Sequence, residues 1–233
     1  MRVAVLATGG KDSILALHRV LNQGYKVECL VSMIPLREDS WMFHYPNIRL
    51  VDLVAEAVGL PLVKAETSGV KEEEVEDLER LIGKLDVEGV VSGAIASNYQ
   101  KTRIDNICKE LNIKSITPLW HEKPLNILKE ILNLRFEVII TGVYAYGFDK
   151  EWLGRRINEK AVEELVKLSK KYKISLVGEG GEYETLVLDA PLFKKRIKIL
   201  EFEEIWKNQS GLLLVKKARL ESKEKTGKVY FDA

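Results

Sequence analysis

Short apolar runs alternate with helix-period segments through the first half of the chain. The predicted strands cover residues 3–7, 27–33, 60–64, 89–92 and 115–117, and the predicted helices cover 12–23, 48–58, 71–85 and 99–111. In the first helix, Ile14, Leu17 and Leu21 fall on one face. A repeated strand, turn and amphipathic helix is typical of βαβ units. We therefore predict an α/β fold built on a parallel, five-stranded, doubly wound sheet.

The pattern loosens after Pro118. Helices are predicted at 124–134 and 159–172, strands at 137–141, 175–177, 184–188 and 196–200, and a polar tail after Leu220. Strands and helices that no longer alternate strictly indicate a smaller α+β domain. We predict a domain boundary near residue 120, with a first domain at 1–120 and a second at 121–233.

Composition excludes some classes of partner. The chain has 233 residues and a net charge of +1, so no broad electrostatic field favours nucleic acid or an anionic membrane. Its two cysteines, Cys29 and Cys108, lack metal-ligand spacing, which fits buried side chains in a reducing compartment. No run approaches the roughly 20 apolar residues of a membrane span. We expect a cytoplasmic protein without direct nucleic-acid or membrane binding.

The turn between the first strand and the first helix is the most informative segment. We call it the glycine loop, and it reads Thr8-Gly9-Gly10-Lys11-Asp12-Ser13. A strand that runs through glycines into a helix binds anions, because unpaired amides and the helix dipole meet there. The glycines let the backbone approach phosphate oxygens, the hydroxyls add donors and the lysine adds a positive charge.

Asp12 is the unusual residue of this loop. A carboxylate beside an anion is expected either to hold Mg²⁺ against it or to cap the helix. Neither the Walker pattern nor GxGxxG is present. An ordinary strand-to-helix turn capped by Asp12 therefore stays open as the alternative.

The six residues together closely resemble the SGGxDS loop of the PP-loop ATP pyrophosphatases, which split ATP into AMP and pyrophosphate. Thr8 departs from that pattern, since it keeps the hydroxyl and adds a methyl group. Four further segments resemble one branch, the diphthine-ammonia ligases, and the resemblance spans roughly residues 1 to 220. These segments cover residues 39–44, 91–100 with Arg103, 142–149 with 152–155, and 178–185.

The resemblance implies a HUP-like nucleotide-binding domain, ATP and Mg²⁺ as cofactors, and a C–N ligase. The implied reaction is amidation of diphthine on translation elongation factor 2 by ammonia or ammonium, with release of AMP and pyrophosphate. The implied nucleotide-binding residues are Thr8, Gly9, Gly10, Lys11, Asp12, Ser13, Met33, Ser92, Gly93 and Arg103. The implied substrate-binding residues are His44, Tyr99, Gln100, Tyr144, Tyr146, Trp152, Glu179, Gly180, Gly181 and Glu182.

Several of these residues have a chemical argument of their own. Ser92 and Gly93 end the fourth strand at the topological switch point, where an adenosine would lie, although a plain strand-ending turn fits as well. Arg103 suits bidentate phosphate or carboxylate pairing but is equally a surface arginine. As a histidine, His44 suits a base or a hydrogen-bond donor, whereas its aromatic neighbours favour a packed histidine.

The acidic segment near residue 182 offers a site for a cation. Strand alternation puts Glu182 and Glu184 on the same face as Leu186 and Leu188, where a carboxylate is costly unless it is paired or used. Both the trimethylammonium group of diphthine and ammonium are cationic, so catalytic roles are predicted for these acids together with Lys11 and Asp12. The alternative is a glycine-rich hairpin whose acids face water.

Tyr144, Tyr146 and Trp152 raise the possibility of an aromatic cage. Aromatic faces bind quaternary ammonium through cation-π attraction, although core packing is their usual role.

Two other classes of function stay open for the chain as a whole. One is a different PP-loop ligase, either tRNA-modifying or amide-forming, and the other is a nucleotide-binding sensor without chemistry. Oligomeric state is left open, with a homo-oligomer possible.

Overall fold

A five-stranded parallel sheet forms the first half of the chain. The computed structural model describes residues 1–36, 47–70 and 72–223. The strands are β1 (Arg2–Leu6), β2 (Lys26–Pro35), β3 (Leu62–Thr67), β4 (Gly89–Val91) and β5 (Lys114–Ile116). Their order is β3-β2-β1-β4-β5, and every neighbouring pair is parallel. The predicted sheet is confirmed, and its switch point lies between β1 and β4.

Helices cover both faces of this sheet. They are α1 (Lys11–Asn22), α2 (Val51–Val58), α3 (Glu73–Ile82) and α4 (Asn98–Glu110), and a 3-10 helix (Asn47–Leu50) precedes α2. Along β1, Val3 and Val5 join the apolar core beneath α1 and α2, whereas Ala4 joins the core beneath α3 and α4. The period-2 alternation of β1 therefore serves two cores, which is why the strand is apolar throughout.

The second half of the described chain is built on an antiparallel sheet. Its strands are β6 (Glu137–Val143), β7 (Tyr183–Asp189), β8 (Lys195–Lys207) and β9 (Ser210–Ser222), in the order β7-β6-β9-β8. The helices α5 (Pro124–Asn133) and α6 (Glu159–Tyr172) accompany it. This α+β arrangement agrees with the predicted fold class.

Two predictions for this half are wrong. Residues 175–177 form a turn where a strand was predicted, and β8 with β9 forms a hairpin far longer than the predicted strand 196–200. The hairpin turn consists of Asn208 and Gln209, whose φ angles of 49° and 66° match the twist that two-residue hairpins require. Residues 200–207 are all exposed, so this part of β8 is held by its pairing with β9 and not by burial against a core.

One apolar core joins the two halves. It contains buried residues of α1 and α2 together with residues of α5, β6 and β7. Polar contacts add to it: the Arg19 guanidinium of α1 bonds both carboxylate oxygens of Glu130 at 3.2 and 2.5 Å, and donates to the Pro118 carbonyl at 2.7 Å. None of the helices in the described ranges has the length and apolar character needed to span a bilayer.

Candidate functional site

A cavity of about 450 Å³ opens where the carboxyl ends of β1 and β4 meet the start of β7. Its walls come from five stretches that are distant in sequence, the fourth of them being Thr141 alone. They contribute Leu6, Thr8, Gly10, Lys11, Asp12 and Ser13; Asn47 and Ile48; Ser92, Gly93, Ala94, Ser97, Tyr99, Gln100 and Ile104; Thr141; and Gly178, Glu179, Gly180, Gly181, Tyr183, Glu184, Thr185 and Leu186. The structure thus brings the glycine loop and the acidic segment to one place.

The glycine loop turns tightly from β1 into α1. Gly9 has a φ of +83°, which an L side chain rarely adopts. Its carbonyl accepts from the Val187 amide at 2.9 Å, so β7 fixes the turn. Gly10 is the N-cap of α1 and provides no side-chain cap, so the cap does not compete with a phosphate for the first-turn amides.

The two hydroxyls of the loop stiffen it from within. The Thr8 hydroxyl accepts from the Gly10 amide at 3.3 Å, and the Ser13 hydroxyl donates to the Gly10 carbonyl at 3.0 Å. The two hydroxyl oxygens lie 3.4 Å apart. The Thr8 hydroxyl therefore helps to hold the loop in its tight turn.

Lys11 is buried, with 3% of its surface exposed, and its side chain points toward the second half. Its ammonium donates to the Val177 carbonyl and to Asp12 Oδ2, the latter at 2.9 Å, and lies 5.2 Å from the centre of the Tyr183 ring. Its amide donates to Thr185 Oγ1 at 3.1 Å. Lys11 thus bonds the glycine loop to the segment before β7, a contact that the sequence did not predict.

The end of β4 lies directly against the start of α1. A Cβ added to Gly93 would lie 2.8 Å from the backbone carbonyl carbon of Asp12 and 2.9 Å from the amide nitrogen of Ser13. Only glycine fits this contact. Ser92, which is 6% exposed, lines the cavity, and its hydroxyl has no hydrogen-bond partner among the described residues. Ser92 and Gly93 therefore both lie where a ligand would meet them.

Two of the predicted acids differ in their surroundings. Glu182 accepts from the amides of Ser175 at 2.6 Å and Gly180 at 2.8 Å, so it stabilises the turn that replaces the predicted strand. It does not line the cavity, whereas Glu184 does. Burial, followed by the charge of Glu184, raises the pKa of the Tyr144 hydroxyl. Of these two acids, Glu184 is therefore the one that faces the cavity.

Glu179 lies at the cavity edge, with Gly180 and Gly181 beside it. One of its carboxylate oxygens accepts three consecutive backbone amides, those of Ile95 at 3.0 Å and of Ala96 and Ser97 at 2.8 Å. These amides belong to the loop before α4, which also carries Tyr99 and Gln100 into the cavity wall. Burial raises the pKa of the Tyr99 hydroxyl.

The three predicted aromatic residues have contacts outside the cavity. Trp152 is 4% exposed and packs edge-on against Phe148, with the Arg155 guanidinium 4.2 Å from its ring centre. Tyr146 is 66% exposed and contacts Tyr172. None of the three predicted aromatics is part of the cavity wall formed by the described residues. Core packing accounts for Trp152, and we do not propose a cage.

Two other predicted residues, Arg103 and Met33, are not part of the described wall. Arg103 stacks 3.5 Å from the Tyr99 ring centre and pairs with Glu72. Met33 is buried in the core beneath α3 and α4. His44 lies outside the described residues.

Thr185 and Asn47 are two of the polar wall residues that sequence reasoning did not select as site residues. Thr185, the partner of the Lys11 amide, stands at the end of a segment already singled out, so its hydroxyl was a usable signal. Asn47 lines the cavity and bonds the backbone of β9 at Leu213 and Val215, at 2.7 and 3.0 Å. Nothing in its sequence context marks it, because the contact spans more than 160 residues.

The donor set determines which cation this site suits. Among the described residues, no group of three histidine, cysteine or acidic side chains gathers to bind a metal. Asp12, whose side chain is 30% exposed, lines the cavity. Mg²⁺ is commonly held by one or two carboxylates together with substrate phosphates, so the residues present fit Mg²⁺ carried by a nucleotide.

Comparison with known proteins identifies the family to which this chain belongs. Residues 1–115 match the family model "Diphthamide synthase N-terminal domain", and residues 123–220 match "Diphthamide synthase C-terminal domain". The diphthine–ammonia ligase of Rattus norvegicus is 38% identical over 222 residues, which cover 85% of this chain and 83% of that protein. The diphthine–ammonia ligase of Homo sapiens is 36% identical over 228 residues, or 88% of this chain and 85% of that protein.

A solved structure, titled a predicted subunit of tRNA methyltransferase from Methanocaldococcus jannaschii, is 17% identical and covers 82% of this chain and 98% of that one. Its TM-score against this chain is 0.46. The family matches cover both sheets and every stretch of the cavity wall. This chain therefore belongs to the diphthamide synthase family, whose named relatives are diphthine–ammonia ligases and thus C–N ligases.

Proposed function

We propose that this chain amidates diphthine on translation elongation factor 2, with ATP as the activating substrate and ammonia as the nitrogen source. The observation that carries the proposal is the single cavity shared by the glycine loop and the Glu179–Glu184 region. A carboxylate and ammonia do not condense at neutral pH, because oxide is a poor leaving group. A site that holds both a triphosphate and a second substrate removes this obstacle.

The reaction is proposed to run through an acyl-adenylate. A carboxylate oxygen of diphthine attacks the α-phosphorus of ATP, the bond to the bridging oxygen breaks, and pyrophosphate leaves. The amides of the glycine loop and the Ser13 hydroxyl hold the β and γ phosphates and stabilise the charge that develops on the leaving group. Ser92 and Gly93 are proposed to lie beside the adenosine, since they end β4 at the switch point.

Lys11 and Asp12 act together beside the phosphates. The 2.9 Å pair between them orients the carboxylate, while the remaining charge of Lys11 offsets charge on the α-phosphate. We propose that Asp12 holds Mg²⁺, which would supply Lewis-acid polarisation of the phosphate oxygens when bound.

Glu184 is proposed to serve the second step. Ammonia attacks the carbonyl carbon of the acyl-adenylate, AMP leaves with the bond electrons, and one proton is lost from the nitrogen. Glu184 faces the cavity beside the Tyr144 hydroxyl, so it is placed to orient ammonium and accept that proton. Glu182 supports this wall through its bonds to Ser175 and Gly180.

The two halves of the chain are proposed to bind different substrates. We propose that residues 1–120 form the nucleotide-binding domain and residues 121–233 the substrate-binding domain. The two family matches, which end at 115 and begin at 123, support a boundary there. We further propose a reducing, cytoplasmic setting, which the two free and buried cysteines support.

Incubation with ATP, ammonium and diphthine-bearing elongation factor 2 tests the function. We expect AMP and pyrophosphate in equal amounts, together with conversion of the carboxylate to an amide in the mass spectrum of the factor. Double replacement of Asp12 and Ser13 by alanine should abolish AMP formation. A nucleotide sensor would bind ATP and form no AMP, and a tRNA-modifying ligase would form AMP only when tRNA replaces the factor.

A further inference from the structure

The contact between Glu179 and the loop before α4 joins the two sides of the cavity. A single carboxylate oxygen accepts the amides of residues 95, 96 and 97, which lie 82 to 84 positions away in the sequence. Charge-assisted bonds of this kind are stronger than neutral ones. Three on one oxygen leave that oxygen no capacity to bind a substrate.

The loop that Glu179 holds determines the shape of one cavity wall. Ser92 and Gly93 precede it, and Tyr99 and Gln100 follow it, and all four line the cavity. Ser97 caps α4 by accepting from the Gln100 amide at 3.3 Å. A shift of the loop would therefore move the proposed adenosine wall and the first turn of α4 together.

Glu179 projects from a base that is itself fixed. Its own amide donates to Ser175 Oγ at 3.3 Å, and the adjoining turn is held by the two bonds of Glu182. The Lys11 ammonium holds the Val177 carbonyl from the other side. The glycine loop, the segment around Glu179 and the loop before α4 thus form a closed ring of contacts around the cavity.

We propose that Glu179 is a positioning residue, which sets the loop at 94–97 for nucleotide and does not itself contact the cationic substrate or move a proton. This inference rests on the proposed function for its kinetic test. It assigns the carboxylate a role that a neutral amide can fill, because the carbonyl oxygen of glutamine accepts the same backbone amides. A residue that acts as a general base has no such substitute, because an amide side chain does not accept a proton near neutral pH.

The test compares Glu179→Gln with Glu179→Ala. We expect Glu179→Ala to raise the KM for ATP by about tenfold or more and to lower kcat, since small displacements in a site are costly. Glu179→Gln should return both constants to within about threefold of wild type, with an unchanged pH profile of kcat. Glu163→Ala, which removes an exposed carboxylate of α6, serves as the control. Equal loss in both Glu179 variants, or full activity in Glu179→Ala, would overturn the proposal.

Two measurements separate this proposal from the proposed function. Calorimetric titration with ATP reports the position of the loop without turnover. The affinity for ATP is expected to be highest in wild type, slightly lower in Glu179→Gln and lowest in Glu179→Ala. Amide hydrogen exchange at residues 95–97 needs no nucleotide, and protection should persist in the Gln variant and disappear in the Ala variant. A wild-type protein that forms no AMP but shows these patterns would refute only the function. Protection that survives in Glu179→Ala would refute only the positioning role.

Discussion

The two sheets reach the same cavity by different means. The parallel sheet presents Asp12 and Ser13 in the first turn of α1, where the geometry of a strand, a tight turn and a helix places them. The antiparallel sheet presents its acids from an irregular turn, in which Glu179 and Glu182 are fixed by backbone amides. After their proposed roles, we call the wall at the glycine loop and the end of β4 the nucleotide side and the wall around Glu179 to Glu184 the acceptor side. A tight strand-to-helix turn shapes the nucleotide side, whereas on the acceptor side Glu179 depends on amides 82 to 84 residues away and Glu182 on amides within seven residues.

The largest effect is expected on the nucleotide side, where two backbone segments touch. Gly93→Ala would place a Cβ 2.8 Å from the Asp12 carbonyl carbon, so β4 and the start of α1 must separate. We expect AMP formation to fall by about 100-fold, because the glycine loop is displaced. Steady-state assays of AMP release measure this. Gly83→Ala, at a helix end with an ordinary φ of −60°, is the matched control and should stay near wild type. Near-normal turnover in Gly93→Ala would show that the close contact is not required.

An intermediate effect is expected on the acceptor side. Glu184→Gln removes a cavity-facing charge and should lower the second-order rate with ammonium by about tenfold, while ATP affinity stays unchanged. Ammonium-dependent kinetics and calorimetric titration with ATP measure the two quantities. A weaker affinity for ATP would contradict the division between the two sides.

The link between the halves is expected to affect stability more than catalysis. Arg19→Met removes the paired bonds to Glu130 and the bond to Pro118 but keeps most of the apolar stem. The free energy of unfolding should fall by about 1–3 kcal/mol, the usual range for bonds to charged groups. Urea denaturation measures this fall, and KM for ATP should not change. A large rise in KM would mean that α1 depends on this link for its position at the cavity.

The smallest effect concerns a buried thiol beneath α4. Burial raises the pKa of Cys108 to about 11, so the folded protein keeps this thiol protonated at neutral pH and should resist alkylation until it unfolds. Because the unfolded chain loses this proton first, Cys108 stabilises the fold below its ordinary pKa near 9, and that contribution is lost as the pH rises to 11. Cys108→Ala should show a shallower fall in stability over this interval. Rapid alkylation of the native protein would contradict the burial.

Features that depend on residues close together in the chain could be predicted from the sequence. The glycine loop, the parallel sheet and the apolar face of α1 all follow from spacing within a few residues. The role of Glu182 could not be inferred, because its partners, Ser175 and Gly180, form a turn in a segment where β-propensity favoured a strand. The bonds of Glu179 to the loop before α4 also leave no trace in local patterning. Trp152 could not be assigned from the sequence, because an aromatic residue carries the same signal in a core as in a binding site.

The apolar core shared by α1, α5 and β7 has a consequence for cutting the chain. A fragment that ended near residue 120 would lack Ile127, Ile131 and Leu186, which cover the inner side of the α1 face. Such a fragment would expose apolar surface to water and would tend to aggregate. The whole chain should accordingly unfold in one calorimetric transition, in which both sheets unfold together.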